Sequence, residues 1–119
     1  MSEIFIGCDI EDVSRFRNRI KDRSDKFLDK IFTKEEQVYC NSKSDPAIHY
    51  AGRFCAKEAV VKAVKSAKKD SSIRINQVEI QSLESGEPKV KFKSKIKGVC
   101  KVSISHTSEH AISMALFIE

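Results

Sequence analysis

Three groups of polar residues in this sequence could carry chemistry. Asp9 stands near the end of a segment of alternating apolar residues, beside a glycine that allows close approach. A later helical stretch brings together two lysines, an arginine and a glutamate, and a third group surrounds His106 at the end of another alternating segment. Carboxylates with several cations suit phosphates and magnesium, which keeps several waters and needs only one or two protein carboxylates. The candidate residues are Asp9, Arg53, Lys57, Glu58, Lys62, Ser105, His106 and Thr107.

Ordinary explanations stay open for each group at this point. Glu58 and Lys62 have the i,i+4 spacing of a salt bridge on a solvated helix surface. The residues of the first and third groups are common in turns and at strand ends. However, Arg53 and Lys57 also stand four apart, where like charges repel, so a helix that holds both could be binding an anion. The glycine-rich phosphate motifs GxxxxGK[ST] and GxGxxG do not occur in the sequence.

The element that must position these groups is a helix predicted within the stretch 45–69, with a polar, lysine-rich loop predicted at residues 67–72. Asp45 is a plausible N-cap, Pro46 suits the first helical position, and only one glycine after it disfavours a helix. Phe54 and Val61 fall among the charged residues instead of on the core face, which predicts that this second face also contacts a partner. The core face is predicted to carry Ala56, Ala59, Val60, Ala63 and Val64.

The other hydrophobic patterns predict one strand, then helices, then four strands. Runs of helices followed by runs of strands indicate an α+β fold with a largely antiparallel sheet and the long helix packed across it. We expect a single domain of residues 1–119. The predicted strands are residues 3–10, 73–83 with an irregularity near Asn76, 89–93, 100–106 and 110–118. The shorter helices are predicted at residues 12–23, between Ser24 and Phe32, and from a Thr33–Glu36 capping box to about Asn41.

Composition and charge narrow the class of protein. The chain has 119 residues, of which 40% are hydrophobic and 33% charged, and its net charge of +5 indicates an acidic partner or substrate. Its four cysteines lie far apart and form no CxxC pair, so we expect free thiols in a reducing compartment. No segment has the pattern of a signal peptide or a membrane span, which favours a cytoplasmic protein with no membrane partner.

Four segments, in order and spanning nearly the whole chain, resemble holo-acyl-carrier-protein synthase, the small bacterial type of 4′-phosphopantetheinyl transferase. The strand-end aspartate and the GRFxAKEA helix together are specific, and the SISHT run strengthens the resemblance. The matching segments are Gly7-Cys8-Asp9-Ile10-Glu11 with Arg15, Phe32-Thr33-Lys34-Glu35-Glu36, Gly52-Arg53-Phe54-Cys55-Ala56-Lys57-Glu58-Ala59, and Val102-Ser103-Ile104-Ser105-His106-Thr107.

The resemblance implies a reaction and assigns roles to residues. Such enzymes move 4′-phosphopantetheine from coenzyme A to a serine of apo acyl carrier protein and release adenosine 3′,5′-bisphosphate. In the family, the residues that match Asp9 and Glu58 bind magnesium, and the lysine that matches Lys62 contacts the pyrophosphate. The positions around the nucleotide and its 3′-phosphate match Arg53, His106 and Thr107.

Catalysis and assembly follow from the same resemblance. The general base stays open among Glu58, His106 and a magnesium-bound water, and Lys62 is a further catalytic candidate. Lys57 is predicted to add positive charge to the coenzyme A site. The family is typically a trimer with sites at subunit junctions, so the resemblance implies a homotrimer in which the His106 group could come from a neighbouring subunit.

The protein substrate is expected to dock on the first helix. Arg15, Arg19 and Arg23 recur every four residues and can line one edge of that helix. Acyl carrier proteins are acidic, so electrostatic docking should act on the association rate and weaken with salt. Arg15 also matches the arginine that follows the metal-binding strand in the family.

One departure from the family pattern keeps two alternatives open. Family members commonly carry a Gly-x-Gly turn just after the long helix, whereas residues 64–72 here contain no glycine. A relative that binds coenzyme A without transferring its phosphopantetheine group is therefore one alternative. The other is a basic nucleic-acid-binding module, although the chain has no Trp and only two Tyr for stacking on bases, so we expect no nucleic-acid partner.

Overall fold

The computed structural model describes residues 2–22 and 25–119 and confirms the α+β class. One strand is followed by four helices and then by four strands. The strands are β1 Ile4–Asp12, β2 Val78–Ser82, β3 Pro88–Phe92, β4 Val99–His106 and β5 His110–Ile118. The helices are α1 Val13–Lys21, α2 Phe27–Ile31, α3 Lys34–Asn41 and α4 Pro46–Ser66. No helix in the described ranges is both long and apolar enough to cross a lipid bilayer.

The strands form two antiparallel sheets. The larger has the order β1-β5-β4, and β2 pairs with β3 in a separate hairpin. In the larger sheet, Glu11 of β1 is level with Ala111 of β5, which in turn is level with His106 of β4. Asp9 is level with Ser113. The polar residues of β1 and His106 therefore lie on opposite edge strands, two strand spacings or about 10 Å apart.

Helix α4 lies between the larger sheet and the β2–β3 hairpin. It can approach β1 closely because a Cβ at Gly7 would overlap the carbonyl oxygen of Ala59. The Cys55 thiol donates to the carbonyl oxygen of Asp9 at 3.0 Å and lies 3.6 Å from that of Ala111, which fixes the helix over β1 and β5. The predicted core residues are all fully buried, namely Ala56, Ala59, Val60, Ala63 and Val64.

The second apolar face of α4 is covered by the same chain, so the predicted external partner for Phe54 and Val61 is wrong. Phe54 is 6% exposed and its ring lies 5.3 Å from Phe16 and 6.2 Å from Phe27. Val61 is 8% exposed and belongs to the core that includes Ile80 of β2. The partners of this face are therefore α1, α2 and the hairpin.

Helix α4 ends at Ser66, where the predicted lysine-rich loop begins, and two residues later Lys68 takes φ of 58°, the left-handed region that favours glycine. Other predicted boundaries differ from the structure, and β1 continues two residues past its predicted end, to Asp12. The strand predicted at 73–83 begins only at Val78, because Ile75–Gln77 forms a 3₁₀ turn where the irregularity was predicted. Helix α1 ends at Lys21, and Arg23 and the Ser24 cap lie outside the described residues.

Candidate functional site

Carboxylates from β1 and α4 converge with Lys62 at one edge of the helix. This group, which we name the acidic flank, consists of Asp9, Glu11, Glu58 and Lys62. The Lys62 amine donates to the carbonyl oxygen of Cys8 at 2.9 Å and lies 3.4 Å from Asp9 Oδ1. Asp9 Oδ2 is buried and has no hydrogen-bond partner among the described residues. An unpaired buried carboxylate oxygen is costly unless a ligand completes it.

The acidic flank holds more negative charge than its lysine neutralises. Burial, and then a hydrogen bond and the charge of Asp9, raise the pKa of Glu11 to about 7, against the opposing effect of Arg15. Burial and the charge of Asp9 also raise the pKa of Glu58, while Lys62 lowers it. Lys62 forms its ion pair with Asp9, so the simple surface salt bridge with Glu58 that was considered from the sequence is not what forms.

A divalent cation fits this arrangement. Asp9 offers an oxygen without a partner among the described residues, and a cation would offset the charge of Asp9 that, after burial, raises the pKa of Glu58. Within residues 2–22 and 25–119, no set of three or more His, Cys, Asp or Glu side chains is arranged to hold a metal ion. Magnesium needs fewer protein ligands than that, because waters and phosphate oxygens complete its octahedron.

A second cluster, which we name the basic flank, surrounds a cavity of about 230 Å³. Arg53 is 7% exposed, and its guanidinium lies 4.1 Å from the ring centre of Tyr39 and donates to the hydroxyl of Ser82. Its Nε is buried without a hydrogen-bond partner in the described structure. The basic flank consists of Tyr39, His49, Arg53 and His106.

The imidazoles of the basic flank lie next to each other. The ring centres of His49 and His106 are 6.1 Å apart, and the ring centre of His49 is 5.9 Å from that of Tyr39. Burial, followed by the charge of Arg53, lowers the pKa of His49. A buried cation with an unpaired N–H beside two imidazoles is suited to an anion, and Tyr39 offers a flat ring to a planar group.

The two flanks lie on different sides of α4. The acidic flank is at the β1 edge of the larger sheet and the basic flank is at the β4 edge, with β5 and the helix between them. Within the described part of one chain, the candidate metal ligands and His106 are therefore not brought together. Arg53 and Lys62, both on α4, belong to different flanks.

Lys57 is not part of either flank, which corrects the prediction that it binds coenzyme A. Its side chain is fully buried, and its amine donates to Glu36 Oε1 at 2.6 Å and to the carbonyl oxygen of Ile31 at 2.7 Å. Burial lowers the pKa of Lys57, and Glu36 opposes that shift. Thr107 lies beside His106, and its hydroxyl accepts from the backbone N–H groups of Glu109 and His110 in the β4–β5 turn.

The described arginines of α1 are paired within the chain. Arg15 lies 3.1 Å from Glu11, and its guanidinium is 5.0–5.6 Å from three phenylalanine ring centres. Arg19 lies 2.7 Å from Asp25, and Arg23 is outside the described residues. Arg15 and Arg19 remain partly exposed, so their docking role stays a prediction.

Sequence reasoning missed three residues of the flanks. Glu11 follows Asp9 by two residues and therefore lies on the same face of β1, and His49 precedes Arg53 by one helical turn. Strand and helix periodicity could thus have predicted both of these residues. Tyr39 comes from α3, and no local pattern could place it over Arg53.

Comparisons with known proteins identify relatives of this chain. Residues 5–115 match the family model described as the 4′-phosphopantetheinyl transferase superfamily. The chain is 40% identical to the holo-[acyl-carrier-protein] synthase of Chlamydia caviae, with 98% of each chain covered. It is 37% identical to that of Caldanaerobacter subterraneus, with coverage of 98% of this chain and 95% of the relative. A crystal structure of a Bacillus anthracis holo-(acyl-carrier-protein) synthase in complex with CoA (3′,5′-ADP) is 26% identical with a TM-score of 0.80, covering 97% of this chain and 96% of that one.

Proposed function

The chain belongs to the 4′-phosphopantetheinyl transferase superfamily and is a transferase of the holo-acyl-carrier-protein synthase type. From that premise we propose that it moves 4′-phosphopantetheine from coenzyme A to a serine of apo acyl carrier protein, depends on magnesium, and releases adenosine 3′,5′-bisphosphate. The observation that carries the proposal is the acidic flank, where residues far apart in sequence converge around an unpaired buried oxygen of Asp9.

The acidic flank is where the proposed reaction takes place. The serine oxygen forms a bond to the phosphorus that carries pantetheine, and the bond from that phosphorus to the adenosine 5′-phosphate oxygen breaks. Asp9 and Glu58 would hold magnesium, which when bound neutralises the diphosphate and stabilises the charge that develops on the leaving oxygen. Lys62 binds a phosphate oxygen, since its side chain is more than half exposed and its amine lies next to the Asp9 carboxylate.

The serine must lose its proton as the new bond forms. Glu58 is the candidate base on this chain because it is only partly buried and its pKa is raised from that of an ordinary carboxylate. His106 lies in the basic flank, where we assign it with Arg53 to the nucleotide and its 3′-phosphate. Thr107 follows directly and is proposed to contact the same phosphate.

A shared site explains why the two flanks are separate within one chain. The outer face of the larger sheet exposes large apolar residues, which in isolated proteins often mark an interface. We therefore propose a homotrimer in which the acidic flank of one subunit and the basic flank of the next bind one coenzyme A. The apolar residues of that outer face are Ile4, Ile6, Ile10, Ile112 and Met114.

The central experiment incubates the protein with coenzyme A, magnesium and an apo acyl carrier protein and follows the intact mass of the carrier. We expect addition of one phosphopantetheine group, and loss of nearly all transfer in Asp9→Ala, in Glu58→Ala and with excess chelator. Glu35→Ala, at an exposed carboxylate of α3, is the matched control. Full transfer in excess chelator contradicts the magnesium role, and binding of coenzyme A without transfer indicates the inactive relative instead.

Subunit complementation tests the shared site. Glu58→Gln removes a proposed magnesium ligand of the acidic flank, and Arg53→Gln removes the arginine of the basic flank. Each variant alone should be inactive. If a site needs one flank from each of two subunits, mixing the two variants after subunit exchange should restore about a quarter of the sites by random assortment. No recovery in mixed trimers, or an active monomer by sedimentation, argues against sharing.

Carrier docking is tested better at Arg19 than at Arg15. Arg15→Glu would also disturb Glu11 beside Asp9, whereas Arg19 contacts Asp25 and the Phe27 ring. We expect Arg19→Glu to raise KM for the carrier protein about tenfold and leave KM for coenzyme A within about twofold, with added salt acting on wild type in the same direction. An unchanged KM for the carrier excludes Arg19 from the docking surface.

The proposal also keeps the cytoplasmic location, which the four free thiols support.

A further inference from the structure

His49 has no role in the proposed reaction so far, although it lines the same cavity as Arg53 and His106. It stands one helical turn before Arg53 on α4, and its ring centre lies 5.9 Å from that of Tyr39 and 6.1 Å from that of His106. Arg53 lines the same cavity, and its buried Nε has no hydrogen-bond partner among the described residues. This geometry places two imidazoles beside one unsatisfied cationic donor.

The surroundings of His49 are predominantly positive. Arg53 and Lys43 are the cations near it, His106 is a second imidazole, and Asp45 is the opposing carboxylate. Asp45 is already engaged, because both of its oxygens accept hydrogen bonds from Arg17 at 3.0 and 3.1 Å. Tyr39 completes the surroundings, with Lys43 at 4.7 Å and Arg53 at 4.1 Å from its ring centre. The charge that this pocket lacks is negative.

Building on the proposed function, we propose that His49 and His106 bind the 3′-phosphate of coenzyme A as a pair and that His49 takes up a proton from solvent when the phosphate enters. Affinity for coenzyme A therefore falls as pH rises, and His49 helps the enzyme to prefer 3′-phosphorylated coenzyme A over its dephosphorylated form.

The direction of the pH dependence follows from the charges around His49 and His106. In the free protein, burial and neighbouring cations lower the pKa of His49, so the neutral imidazole predominates near neutral pH. A phosphate beside the imidazole favours the charged form and moves its pKa back up. Binding is then linked to protonation between the free and bound values, and lower pH strengthens it.

Calorimetric titration with coenzyme A and with 3′-dephospho-coenzyme A tests the proposal between about pH 6.5 and 8.5. We expect Kd for coenzyme A to rise about fivefold across that range in wild type and less than about twofold in His49→Gln, since one unit of pKa shift is worth at most tenfold. Kd for the dephosphorylated form should be nearly independent of pH. Repeating the titration in buffers of different ionisation enthalpy counts the protons taken up.

Matched variants keep the interpretation clear. His110→Gln changes a histidine that lies 3.3 Å from Asp12 and outside both flanks, and it should keep the wild-type pH dependence. His106→Gln, at the exposed end of β4, should lose part of it even if substitution on α4 impairs folding. An unchanged pH dependence in folded His49→Gln, or an equal dependence for dephospho-coenzyme A, overturns the proposal while transfer itself is intact. Failure of wild type to bind or transfer would instead refute the proposed function.

Discussion

Two of the three lysines of helix α4, Lys57 and Lys62, stand five residues apart, and the charged groups around them differ in how completely they are paired. Lys57 and Glu36 are both fully buried, and Glu36 also accepts from the backbone N–H groups of Thr33 and Ile80, each at 2.8 Å. Lys62 is 54% exposed, and its neighbour Asp9 keeps one buried oxygen without a partner among the described residues. One lysine of the helix thus belongs to a buried ion pair whose groups are hydrogen-bonded. The other belongs to a cluster in which a buried carboxylate oxygen has no partner among the described residues.

The difference separates a structural role from a functional one. The Lys57–Glu36 pair joins α4 to α3 and to β2, and its hydrogen bonds leave neither group free for a ligand. Burial, together with the incompletely paired negative charge of Asp9, raises the pKa of two carboxyl groups in the acidic flank. Perturbed groups that lack an internal partner are the ones to expect at a binding site.

Breaking the buried pair should have the largest effect on stability. Lys57→Met leaves the Glu36 carboxylate buried without its cation, which typically costs about 3–5 kcal/mol of unfolding free energy. Urea denaturation of the variant and wild type measures the loss. The double variant Glu36→Gln/Lys57→Met removes both charges and should recover much of the stability. A loss below about 1 kcal/mol for the single variant would mean that the pair is not a structural unit.

The pairing of Lys57 also shows what local pattern could predict. The Thr33–Glu36 capping box was predicted and is present, with Glu36 Oε1 accepting from the backbone N–H of Thr33. The second role of that carboxylate depends on Lys57, which is 21 residues away. Helical periodicity put Lys57 on a charged arc, and only the tertiary packing of α3 and β2 against that arc buries it.

The candidate site was predictable to a similar degree. The resemblance assigned Asp9 and Glu58 to one site, and the structure places them near each other because Gly7 admits α4 onto β1. The apolar residues among the charges of α4 correctly indicated a covered face. The identity of the cover was missed, because sequence spacing does not reveal whether α1, α2 and the hairpin or a second subunit supplies it.

A smaller effect on the free energy of unfolding is expected from substitution of Glu11, because removing its charge relieves the repulsion from Asp9 without a bound cation. The pKa of Glu11 is about 7 in the folded protein and 4.5 ordinarily, so the folded state holds the proton more tightly. That contribution to stability is complete below about pH 4.5 and is lost as the pH rises through 7. The full shift is worth about 3 kcal/mol, and screening by solvent together with the lost ion pair to Arg15 reduces that value. In metal-free protein, Glu11→Gln should therefore be about 1 kcal/mol or more above wild type in stability at pH 8, and the difference should be smaller at pH 5.

Thermal unfolding in excess chelator at both pH values measures this difference. Magnesium should reduce the difference in stability between Glu11→Gln and wild type at pH 8, because a cation would relieve the same repulsion in wild type. If the variant is less stable than wild type at pH 8, the ion pair of Arg15 with Glu11 outweighs the repulsion from Asp9.

The smallest change in stability is expected at Lys62, with the clearest separation between folding and function. The Lys62 amine is more than half exposed and its nearest carboxylate oxygen is 3.4 Å away, so Lys62→Met should change the unfolding free energy by less than about 0.5 kcal/mol. Transfer should nevertheless fall about tenfold or more in kcat/KM, because a phosphate oxygen loses its cationic partner. Lys65→Met, at an exposed lysine one turn beyond Lys62, serves as the control and should retain most activity. A Lys62 variant that loses stability like Lys57→Met while keeping its kcat/KM would reverse the two roles, and would make the acidic flank a structural unit.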